Sequence, residues 1–142
     1  MPVLEQVLEN NPAKVKIVFK NFPLRSHKFA MKAATAALAA ESQGKFWEFH
    51  DQLYKNYNRL NDQKVGEIAL GLGLDQAQLE KKMRDPALQS KIRQDAREGA
   101  QAGVRGTPTI FINGRKLKDR SLKGFQAAID KELQKLKKRA AK

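Results

Sequence analysis

At 142 residues, 41% of them hydrophobic, the chain is long enough for one compact domain with a modest core and too apolar for a disordered segment. It has no cysteine, which excludes disulfides, thiolate nucleophiles and cysteine-ligated metal sites, and no apolar run approaches the length of a membrane-spanning helix. The net charge of +13 favours acidic partners such as nucleic acid or an anionic membrane, but it is spread along the whole sequence and reads as a scattered, solvated basic surface, so nucleic acid is not the expected partner; the one dense basic run is the tail at 131–142.

Met1-Pro2-Val3-Leu4-Glu5 has no basic n-region and no apolar h-region, so no signal peptide is expected there. Val3, Leu4, Val7 and Leu8 follow helical spacing, and Asn10-Asn11-Pro12 ends that helix. Val15-Lys16-Ile17-Val18-Phe19 is rich in β-branched and aromatic residues and predicts a strand. Asn21-Phe22-Pro23-Leu24 turns the chain, and Ser26 is positioned to cap an alanine-rich helix over 28–41 that Gly44 closes. A further helix is expected from Lys45 to about Tyr57, with Phe46, Phe49, Leu53 and Tyr57 on one face and Trp47 beside it. Asn61 or Asp62 caps a short helix that ends at Gly71 to Gly73. Asp75 with Gln78 resembles a capping box opening the next, and Asp85-Pro86 opens a longer one striped by Leu88, Ile92 and Ala96.

The pattern then changes. Gly103 to Gly106 is a loop, Pro108-Thr109-Ile110-Phe111-Ile112 is a strand, and Asn113-Gly114 predicts a type I′ hairpin turn into Arg115-Lys116-Leu117-Lys118. Ser121 caps a last amphipathic helix with Leu122, Phe125, Ile129, Leu133 and Leu136 on its buried face.

Few residues suggest chemistry. His27 and His50 are the only histidines and, without cysteine, do not make a structural zinc site; no metal and no cofactor is expected. His50-Asp51 is expected to face solvent or a local partner, and Ser26-His27 suits helix capping better than a nucleophile with its base. The cluster Phe46, Trp47, Phe49 and Tyr57 reads as core. Gly103-Val104-Arg105-Gly106 lacks the spacing of a phosphate loop.

Three segments carry a resemblance: Val18-Phe19-Lys20-Asn21-Phe22-Pro23-Leu24 with His27; Gln43-Gly44-Lys45-Phe46-Trp47-Glu48-Phe49-His50-Asp51-Gln52-Leu53; and Val104-Arg105-Gly106-Thr107-Pro108-Thr109-Ile110-Phe111-Ile112-Asn113-Gly114. In this order and spacing they resemble DsbA-like thioredoxin-fold proteins, which are thiol–disulfide oxidoreductases, over roughly residues 1–135. The resemblance implies an α/β thioredoxin-like fold: one domain, with 1–25 and 104–138 forming the thioredoxin-like part and 26–103 a helical insertion. It also implies a cis peptide bond at Thr107-Pro108, a substrate-binding role for Thr107 and Pro108 toward an extended peptide or unfolded protein, and a periplasmic or exported setting.

The departure from the family pattern is as informative. Such proteins carry a first strand and a Cys-x-x-Cys motif at the start of the first helix, and this sequence matches only the family's later portion, beyond that motif. No catalytic residue is therefore expected in the chain, and whether it belongs to an active enzyme stays open. Redox-inactive peptide binding is one reading and a basic nucleic-acid binder a lesser one. Without that strand, 15–19 and 109–112 would expose edges. They are expected either to pair with each other or to pair between two copies as a homodimer.

Overall fold

A computed structural model describes residues 2–142. It comprises two compact units, Met1–Val18 with Gly106–Lys142, and Phe19–Arg105.

The first unit is built on helices α1 (Pro2–Asn10) and α7 (Leu122–Ala140), which pack together through Val7, Phe125 and Ile129. α1 stops where Asn11 turns its side chain back: Nδ2 donates to the Val7 carbonyl at 2.8 Å and to Gln126 Oε1 at 2.9 Å, tying the helix end to α7. α7 begins at Ser121, whose hydroxyl accepts the Gly124 N–H. Gly124 itself has no room for a side chain, since a Cβ there would lie 2.3 Å from the Asp119 carbonyl oxygen. Strands β1 (Phe111–Ile112) and β2 (Arg115–Lys116) form an antiparallel hairpin, with Phe111 opposite Lys116 and Ile112 opposite Arg115. Its turn has Asn113 at φ 47° and Gly114 at φ 79°, the two positive values a type I′ turn demands.

The second unit is helical: α2 (Ala30–Glu41), α3 (Phe46–Lys55), a single 3-10 turn (Tyr57–Arg59), α4 (Asp62–Gly71), α5 (Gln76–Met83) and α6 (Pro86–Gln101). α2 lies at its centre and packs against α3, α5 and α6. Its buried face is almost wholly alanine (Ala33, Ala36, Ala37, Ala39, Ala40), so neighbours approach closely and larger residues such as Phe49, Leu53, Ile68 and Leu79 fill the space around it. The expected caps form at Asn61, Asp75 and Asp85, each side chain accepting from a backbone N–H of the first turn.

Four expectations are corrected, the first being Leu136, expected on the buried face of α7 but 53% exposed because it lies beyond the part of the helix that covers the core. Residues 15–19 keep the alternation of a strand, with 15, 17 and 19 half-buried and 16 and 18 exposed, yet they form no ladder, because a strand exists only with a hydrogen-bonding partner. Among the described residues they pair neither with 109–112 nor with any other segment. Ser26 does not cap α2; that helix starts later, behind a turn in which the Ala30 N–H donates to the His27 carbonyl, and Phe29 precedes it without a side-chain cap. Tyr57 leaves the core, 75% exposed, because α3 ends at Lys55 and the 3-10 turn rotates it off the apolar face.

Candidate functional site

The segment leading into β1 is the first place where sequence and geometry converge. Thr107-Pro108 is joined by a cis peptide bond, and both residues are exposed. The bend is held from both sides. Thr109 Oγ1 donates to the Gly106 carbonyl at 2.7 Å, while Arg120 Nη1 reaches back from beyond β2 to the Pro108 carbonyl at 3.0 Å. The Leu117 N–H donates to the Ile110 carbonyl at 2.8 Å, continuing the hairpin pairing one step toward the bend. The result is an exposed backbone corner fixed on a hairpin, a form suited to meeting an extended polypeptide. Arg120 was invisible to sequence reasoning: nothing in a lone arginine twelve residues downstream signals that it secures this carbonyl.

The second place is α3 in the helical unit. His50 is 4% exposed and lies among the rings of Phe19, Phe46, Trp47 and Tyr54, with centroids 4.7, 5.8, 5.7 and 4.7 Å away. It does not face solvent, as the sequence had suggested, although the local partner does exist: Nδ1 sits 3.3 Å from Asp51 Oδ1. A carboxylate can only accept, so Nδ1 carries the proton and Nε2 is a lone-pair acceptor, buried without a hydrogen-bond partner among the described residues. Burial holds the imidazole below its ordinary pKa, and the Asp51 carboxylate only partly offsets this. Protonation would place a second N–H among rings that cannot accept it. Because the folded pKa is lowered, the folded state binds fewer protons than the unfolded one, and stability falls as pH drops below about 6.5. His50→Phe is expected to flatten this dependence: thermal midpoints between about pH 7 and 5 should fall for the parent chain and stay level for the variant.

The third is a buried lock between the segment after Phe19 and α6. Asp95, 2% exposed, accepts the Asn21 N–H at 3.0 Å and Asn21 Nδ2 at 3.3 Å, and pairs with Lys91 and with Lys20 at 3.4 Å. It is a structural fastening and touches no candidate chemistry. Among the described residues Ser26 and His27 share no hydrogen bond, the His27 N–H going to the Leu24 carbonyl, and no group of three or more His, Asp or Glu side chains could hold a metal. The cluster read as core divides: Phe49 is fully buried, Phe46 is half-buried against the core, and Trp47 is about half exposed.

Against known proteins, the family model described as Thioredoxin matches residues 2–131. The chain belongs to the thioredoxin family. Within that family its relatives are DsbA-like, which bears out the resemblance seen in residues 18–24, 43–53 and 104–114. It is 28% identical over 130 residues to a probable disulfide bond formation protein D of Bacillus anthracis, covering 86% of this chain and 59% of that protein. Over 103 residues it is 37% identical to the Na(+)/H(+) antiporter NhaA 3 of Salinispora tropica, covering 72% of this chain but 16% of the antiporter. The thioredoxin-family chain thus spans less than two thirds of either curated relative. Among solved structures it is similar to a thioredoxin-like oxidoreductase from Silicibacter pomeroyi, with a TM-score of 0.85 and 28% identity, covering 94% of this chain and 77% of that one. The fold is accordingly thioredoxin-like with a helical insertion, and among the described residues its sheet is the two-stranded hairpin. No described helix is long and apolar enough to cross a membrane.

Proposed function

We propose that these 142 residues are the polypeptide-holding part of a DsbA-like thiol–disulfide oxidoreductase and perform no thiol–disulfide exchange by themselves. The observation that carries this reading is the complete absence of cysteine in a chain of this family. Disulfide exchange proceeds by thiolate attack on sulfur through a mixed disulfide, and no side chain here can take that part. What the chain retains is a scaffold and an exposed corner at Thr107-Pro108, whose carbonyl Arg120 holds in place. Thr107 and Pro108 are the residues that would meet an extended or unfolded polypeptide. The setting in which such a domain is useful is exported and oxidising, where disulfides form and persist. The match inside a longer antiporter supports a domain that serves as a module within larger proteins.

Binding of a reduced and alkylated insulin B chain tests the docking half of the proposal. Adding it to 15N-labelled protein should shift the amide signals of 106–109, and Thr107→Arg should weaken binding by roughly tenfold, or about 1.4 kcal/mol, by obstructing the corner. Unmoved signals at 106–109 under saturating peptide would contradict it.

A further inference from the structure

We propose that the end of α7 rests on the surface of an anionic phospholipid bilayer, a peripheral contact made by one basic, amphipathic stretch of helix. This goes beyond polypeptide docking, because it uses neither the Thr107-Pro108 corner nor any thiol chemistry.

The apolar stripe of α7 outruns the core it covers. Phe125 and Ile129 are buried, Leu133 is half-buried, Leu136 is 53% exposed and Ala140 is exposed. These residues follow one another at steps of four, four, three and four, so they share one face of the helix. Glu132 marks where the support ends: it pairs with Lys135 and, at 3.5 Å, with Arg115 Nε beside the hairpin turn. Past that point Leu136 and Ala140 carry the stripe on into solvent.

Basic residues run alongside. At 3.6 residues per turn, Lys131, Lys135, Lys138 and Arg139 fall within an arc of about 100° beside the stripe. Residues 131–142 hold six basic residues against one acidic, a net +5, and that acid is already engaged. Cations in the last turn offset the dipole of any helix, which accounts for Lys137, Lys138 and Arg139. It does not account for Lys131 and Lys135, farther back. The two stripes together select the occupant. An anionic bilayer offers a flat array of phosphates to the cations and, just beneath, an apolar layer that Leu136 can enter. A nucleic-acid duplex would meet the cations but leave Leu136 in water, and a free phosphate needs a concave cradle that the flank of a helix does not supply.

The test is co-sedimentation of the full chain with sucrose-loaded vesicles at low ionic strength. Vesicles of equal parts phosphatidylglycerol and phosphatidylcholine should bind it roughly tenfold or more tighter than phosphatidylcholine alone, and salt at about 0.5 M should release it. The triple variant Lys131→Gln, Lys138→Gln and Arg139→Gln should lose roughly tenfold or more, and Leu136→Ala roughly threefold. Because the chain has no cysteine, Ala140→Cys can carry a single environment-sensitive dye. Its emission should rise on the mixed vesicles, while the same dye on Gln63→Cys, an exposed position of the helical unit, should not respond. Equal binding to both kinds of vesicle, binding that survives the triple variant or is indifferent to Leu136→Ala, or equal responses of the two dyes would overturn the inference. So would a DNA duplex that binds the chain as tightly as the mixed vesicles at the same salt, since the surface would then be reading phosphate alone. None of these variants touches Thr107 or Pro108, so failure of vesicle binding leaves docking of the alkylated B chain standing, and the two readings fail separately.

Discussion

Replacing Phe49 by alanine is expected to destabilise the helical unit by about 3–5 kcal/mol, enough to consume much of the roughly 5–15 kcal/mol that holds a domain of this size together. Phe49 is fully buried on α3 and belongs to the core around α2. The cost should sit at the high end of such substitutions for a reason visible in the sequence. The buried face of α2 is alanine, and alanine has no side chain that can swing into the vacated space, so the cavity cannot collapse. Phe49→Leu should cost markedly less because it restores most of the lost volume. Leu136→Ala, at a half-exposed position on α7, should lie within about 0.5 kcal/mol of the parent. Urea unfolding followed by circular dichroism would rank the three variants, and a Phe49→Ala midpoint close to that of Leu136→Ala would contradict this packing.

Asp95→Ala is the second large expected loss, about 2–4 kcal/mol at neutral pH. Removing the carboxylate strands the Asn21 N–H and its side-chain amide in a buried position, whereas Lys20 and Lys91 are half exposed and can return to water. The effect should depend on pH. Burial by itself would raise the Asp95 pKa, but Lys91 and the two Asn21 donors outweigh it and hold the carboxyl below its ordinary value. A lowered folded pKa means that the contribution is fully present above about pH 4 and is lost as pH falls through the folded value. The stability gap between the parent chain and Asp95→Ala should therefore be constant from about pH 5 to 7 and narrow below pH 4. A gap that widens on acidification would show that the ionised form is not the one being stabilised.

Much of the fold was legible because it rests on local chemistry. Asn113-Gly114 can satisfy two positive φ values, and the side chains of Asn61, Asp75, Asp85 and Ser121 can each accept from the first turn of the adjoining helix. The misreadings share one cause, dependence on something distant. Residues 15–19 have the composition of a strand, but a ladder is a property of two segments and no described segment pairs with them. Tyr57 continues the helical stripe on paper, and only the end of α3 at Lys55 removes it. The burial of His50 depends on Phe19, thirty-one positions away, and the fastening of Asp95 on Asn21, seventy-four away. The candidate site divides in the same manner. Thr107 and Pro108 could be named from a motif, while Arg120, which holds their carbonyl, could be found only in three dimensions.

This cysteine-free, DsbA-like chain is proposed to perform no thiol–disulfide exchange by itself. Its most direct test is turbidimetric insulin reduction in dithiothreitol, with the purified 142-residue chain across a range of concentrations. The expected result is precipitation of the insulin B chain at the rate of buffer alone, at every concentration of added protein. A rate that rises with the amount of protein, in a preparation free of contaminating thiol proteins, would contradict it.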